Sequence, residues 1–158
     1  MTAEQPDRLS AAFEALNAAR KESIDEKARN LQASRDRKSH FDRISAEIIM
    51  PNLKTIAKIL KSNDCNVMVP EKSNGFQFQI GAHLPNVLPW QFMIEFNPDE
   101  DFVQLKHSDP QSKRREMSVT DKGVTLSEIT AEWVRTEAEN FVIEVIDFYT
   151  CAVQQSKD

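Results

Sequence analysis

Residues 76–83, FQFQIGAH, and 90–97, WQFMIEFN, decide how this chain folds. In the first, Phe76, Phe78, Ile80 and Ala82 alternate with Gln77, Gln79, Gly81 and His83; in the second, Trp90, Phe92, Ile94 and Phe96 alternate with Gln91, Met93, Glu95 and Asn97. Successive side chains of a strand point to opposite faces, so each segment reads as a strand with one aromatic face and one polar face. Strands of that kind build an antiparallel sheet that helices cover on one side and leave open on the other. Trp90, Phe92 and Phe96 could stack nucleic-acid bases if exposed, but their strict alternation with polar residues assigns them to the core.

Further strands flank this pair. Asn66–Val69 reads as a short first strand that turns through residues 71–75, and Asp101–His107 and Glu116–Thr120 read as a fourth and a fifth. Residues 97–101, NPDED, have hairpin-turn chemistry, and residues 84–89, LPNVLP, form an irregular loop. Five short strands in up-and-down order follow.

Outside the strands the punctuation disappears. All three glycines and five of the seven prolines lie between Pro70 and Gly123, whereas residues 7–63 contain no glycine and one proline, Pro51. Long helices are expected on both sides of the sheet. In the first, Leu9, Phe13, Leu16, Ile24, Ala28 and Leu31 fall on one stripe at helical spacing. The interval Gln32–His40 has no large apolar residue, so either a solvated helix continues through it or the chain loosens there, and a long coiled coil is not supported.

From His40 to Ser62 the apolar residues Phe41, Ile44, Ile48, Ile49, Leu53, Ile56, Ile59 and Leu60 suit a helix packed on a sheet, with Ser39 as a candidate N-cap. Pro51 predicts a kink or break near residue 50. A closing helix over 127–154, capped by Thr125 or Ser127, presents Val134, Ala138, Phe141, Val145, Phe148 and Tyr149 to the sheet, widened by Val142 and Ile146. Glu132, Glu137, Glu139, Glu144 and Asp147 make its other side acidic. The expectation is an α+β chain: an amphipathic helical arm over 1–38, and one domain over 39–158 with a helix at 40–62, strands within 65–120, and a C-terminal helix packed on one sheet face.

The charge distribution weighs against a grip on nucleic acid. The net charge is −5, and residues 127–158 hold two bases against seven acids. Phosphate-backbone binders usually carry a basic surplus, because binding neutralises phosphates and releases counterions. Lys27–Lys38 and Lys113–Arg115 are the two basic stretches that a nucleic-acid accessory protein would use, and solvated faces are their plainer reading. No run approaches the ~18 apolar residues of a membrane span, and Met1–Ser10 has no secretion-signal pattern, so a cytoplasmic protein is expected. Cys65 and Cys151 lack CxxC spacing and read as reduced thiols.

Chemistry-bearing patterns are sparse. Three isolated glycines cannot build a phosphate-cradling loop, and Asp99-Glu100-Asp101 lacks the spaced ligands of a calcium loop. No cofactor and no metal is expected. A small enzyme would need His83 or His107 to meet Cys65 or an acid, and packing or surface roles are the plainer reading of His40, His83 and His107.

The expected function is a non-catalytic protein-binding or assembly module, self-associating or a subunit of a complex, with Leu9, Phe13, Leu16, Ile24 and Leu31 as partner-binding residues. In size, acidity and terminal amphipathic helices the chain resembles small acidic cytosolic chaperones of bacterial secretion systems, a resemblance that implies a protein-binding role. Those chaperones usually carry a helix between their third and fourth strands, where this chain has only Asn97–Asp101.

Overall fold

A computed structural model of the chain describes residues 4–71, 73–81, 88–112, 116–119 and 123–156. The chain divides into two units, one up to Arg37 and one from Lys38 onward. The first unit is the greater part of helix α1, Glu4–Ile44. Residues 32–40 are helical, so of the two expectations for that interval the continuous helix is found, and Ser39 lies inside α1 rather than capping a new helix. Its polar residues support the helix themselves: Gln32 Nε2 donates to Asp36 Oδ1 at 2.9 Å, an i,i+4 pair.

Pro51 leaves the helical path unbroken and sits in the first turn of an α-helix, not in its interior. A π-helical turn, Ser45–Ile49, precedes α2, Met50–Ser62, and the Met50 N–H reaches back five residues to the Ser45 carbonyl. Proline lacks an N–H and its ring crowds the carbonyl four residues earlier. Widening the turn just before Pro51 places the proline in the first turn of α2, where a missing donor costs little. Asn52 adds a bond beside it, its Nδ2 donating to the Ile48 carbonyl at 2.7 Å.

α2 ends in two interlocked turns. The Cys65 N–H bonds the Leu60 carbonyl and the Asp64 N–H bonds the Lys61 carbonyl, with Asp64 left-handed at φ +59°. This Schellman geometry turns the chain straight into the sheet. Strands β1 (Asn66–Met68), β2 (Gly75–Gln79), β3 (Trp90–Asn97), β4 (Phe102–Ser108) and β5 (Met117–Val119) pair antiparallel in sequence order. Register puts Phe78 opposite Trp90, Phe76 opposite Phe92, and Ile94 opposite Leu105.

The apolar face is the core. Phe76, Phe78, Trp90, Phe92, Ile94, Val103 and Leu105 are buried beneath a layer made of α2 and α3, Ala131–Ser156. Phe141 of α3 inserts among the strand aromatics, 5.7 Å from the Phe92 ring and edge-on to Phe78 at 6.1 Å. Phe96, partly buried, stacks on Phe41 at 4.7 Å. Among the described residues one polar side chain is buried, on the opposite face of β4: Ser108 Oγ accepts the Gln91 N–H at 2.9 Å, completing the pairing of β4 with the start of β3.

α3 begins later than residue 127. Leu126–Glu128 form a 3-10 turn, and Thr130 is the cap, its Oγ1 accepting the Trp133 N–H at 3.1 Å. Val124 is tied to Val103 by two backbone hydrogen bonds, so the chain is still held to the sheet at residue 124, shortly before the helix starts.

Candidate protein-interaction surface

Within the arm unit, α1 displays Leu9, Phe13, Leu16, Ile24 and Leu31 at exposures of 62%, 56%, 41%, 66% and 54%. Their spacing returns each to the same side of a helix that advances 100° per residue. Scattered surface leucines are ordinary, but five large apolar side chains here share one helix face.

In the second unit a groove of about 250 Å³ runs between α2 and α3, lined by Ile56, Ile59, Leu60, Val142, Ile143 and Ile146 with Glu139 at its edge. Ile59, expected in the packed set, is 53% exposed, and Ile146 and Phe148, expected on the sheet, are also exposed. The apolar arcs of these helices are wider than the strip the sheet covers. Their outer flanks meet beside one another and remain open.

The other sheet face carries Gln77, Gln91, Met93, Glu95 and Lys106, and a depression of about 310 Å³ lies over β1 and β2, lined by Asn66, Met68, Gln77, Gln79 and Pro89 among others. Lys106 Nζ and Glu95 Oε1 stand 3.8 Å apart with both side chains open to water, a pair worth under about 1 kcal/mol.

Among the described residues the chemistry-bearing side chains His107 and Cys65 are placed apart. The His107 ring lies tilted 5.1 Å from that of Phe141, and its Nδ1 lies 3.0 Å from the Ser108 carbonyl, which puts a proton on that nitrogen. Cys65 precedes β1, three strand positions from β4, or about 14 Å at the usual spacing. Burial, and then the Asp64 carboxylate beside it, push the Cys65 thiol above its ordinary range. A nucleophilic cysteine needs the opposite shift, since the thiolate is the reactive form.

Alkylation of Cys65 by iodoacetamide, followed on its own peptide by mass spectrometry, should therefore be slower at neutral pH than that of an unhindered thiol and should accelerate to its plateau at a higher pH. Asp64→Asn should move that acceleration to lower pH by removing a like charge. A Cys65 rate at pH 7 equal to that of an unhindered thiol would contradict this placement.

His40 is exposed on α1, and Lys27–Lys38 lie along the same helix. His83 and Lys113–Arg115 lie outside the described residues. Asp99, Glu100 and Asp101 form the β3–β4 turn: the Glu100 and Asp101 N–H groups both bond the Asn97 carbonyl, and Asn97 Oδ1 accepts the Asp99 N–H. Asp101 takes a left-handed φ of +52° there. This turn occupies the place where the secretion chaperones carry a helix.

Among the described residues no group of three His, Cys, Asp or Glu side chains is placed to hold a metal ion, and no helix is long and apolar enough to cross a membrane. The chain matches no family model, no characterised protein and no solved structure.

Proposed function

We propose that this chain is a non-catalytic, cytoplasmic assembly module that self-associates through the apolar stripe of its arm. The observation that carries the reading is the exposure of Leu9, Phe13, Leu16, Ile24 and Leu31 on one face of α1. Covering such a row removes apolar area from water at roughly 25 cal/mol per Å². Within the second unit, by contrast, the buried core begins at Phe41 and has its own sheet and two covering helices. Cys65 and Cys151 are not joined to each other, and a reducing compartment would keep both as thiols. The net charge of −5 favours a protein partner over a nucleic acid.

Deleting residues 1–38 tests the reading. The truncated chain should unfold in one cooperative transition and be monomeric by light scattering, while the full-length chain is dimeric or larger at the same concentration. A full-length chain that stays monomeric into the hundreds of micromolar would sink the proposal.

A further inference from the structure

We propose that two copies of the chain pair antiparallel through α1, with Arg20 on the two-fold axis. The inference rests on the self-association proposed above and specifies its geometry. The five apolar positions, together with Arg20 and Lys27, occupy residues 9, 13, 16, 20, 24, 27 and 31. At 100° per residue all seven fall within an arc of about 80° on the helix.

The spacing reads the same in both directions from Arg20. A two-fold interface is isologous: if one residue meets a second, the second must meet the first. Antiparallel pairing centred on Arg20 sets Leu9 against Leu31, Leu16 against Ile24, and Phe13 against Lys27. The first two are apolar layers. In the third, the Lys27 ammonium lies against an aromatic face, an attractive contact.

Charge selects the same direction. Residues 4–19 hold three acids and one base, whereas residues 20–38 hold seven bases and four acids. Antiparallel pairing places the acidic half of one arm along the basic half of the other. Parallel, in-register pairing places like on like and adds two repulsive layers, Arg20 on Arg20 and Lys27 on Lys27. The antiparallel pair keeps only the Arg20 layer, where the stems cover the seam and the guanidiniums reach outward to water.

The test uses the full-length chain with Cys65→Ser and Cys151→Ser, carrying Arg20→Cys, Phe13→Cys or Lys27→Cys, oxidised with copper–phenanthroline. Arg20→Cys should run mostly as a covalent dimer on a non-reducing gel. Phe13→Cys and Lys27→Cys should each stay monomeric on the gel alone and cross-link when mixed in equal amounts. Self-cross-linking of Phe13→Cys as complete as that of Arg20→Cys identifies a parallel pair and overturns the proposal. So does the absence of any cross-link in chains that light scattering still finds dimeric, an outcome that leaves self-association standing. Monomers throughout, the parent chain included, overturn the assembly reading as well.

Discussion

Trp90→Ala should lower the unfolding free energy of the chain by about 3–5 kcal/mol, read as a lower denaturant midpoint at unchanged slope. Trp90 opens β3 at 2% exposure, opposite Phe78, with the rings of Phe148 and Tyr149 edge-on at 5.9 and 6.0 Å. Truncation removes the transfer energy of the indole and leaves a cavity bounded by strand backbone and an α3 side that cannot both close on it. It also removes the indole Nε1 donor from the Tyr149 hydroxyl, now 3.2 Å away. Trp90→Phe separates the two contributions, since it keeps most of the ring volume and loses the hydrogen bond, a net cost of about 1 kcal/mol. For a domain whose whole stability is of order 5–15 kcal/mol, the alanine variant is left close to unfolding. A loss under 1 kcal/mol would place the indole at the surface and reverse the assigned face of the sheet.

Gly75→Ala should cost about 3 kcal/mol or more, although it adds one methyl group. A Cβ on Gly75 would stand 2.2 Å from the Phe92 carbonyl oxygen and 3.0 Å from the Met93 Cα, both backbone atoms of the neighbouring strand. No rotamer relieves that clash, so β2 must move away from β3. The register there is set by Gly75 opposite Met93 and by the Ile94 N–H on the Asn74 carbonyl at 2.8 Å. Asn74 is anchored in turn through its side chain by the Ser45 hydroxyl of the π-helical turn. The displacement therefore reaches the helical layer as well as the sheet. Chemical denaturation of the variant checks this, and a stability within 0.5 kcal/mol of the parent would show that the strands are not so close.

Alternation and helical period were legible in the sequence because both arise within a few residues. A strand must turn consecutive side chains to opposite faces whatever surrounds it, so the core faces of residues 76–79 and 90–96 were readable before any neighbour was known. The glycine and proline distribution set the order of helix and strand for the same reason, since each acts on its own backbone dihedrals. The five apolar positions of the arm were readable as a stripe on the same grounds.

Tertiary structure decided what each element meets. Ile59, Ile146 and Phe148 carry the same helical signal as Ile56 and Val145, yet only the latter two are buried, because the sheet covers a strip narrower than the apolar arc of each helix. Pro51 predicted a disturbance but not its form. The π-helical turn at Ser45–Ile49 is held where Ser45 and Asn52 find partners, Asn74 and Arg135, that lie 29 and 83 residues away. Shortly before α3 starts at Ala131, Val124 is still held to Val103 across the sheet, a contact between residues 21 apart that no local capping pattern encodes. Gly75 is the sharpest case: the sequence marks it as a turn residue, and only the approach of the Phe92 carbonyl makes the absence of a Cβ a requirement. Local sterics are written in neighbouring residues, whereas coverage, register and close approach depend on pairs brought together from far apart in the chain.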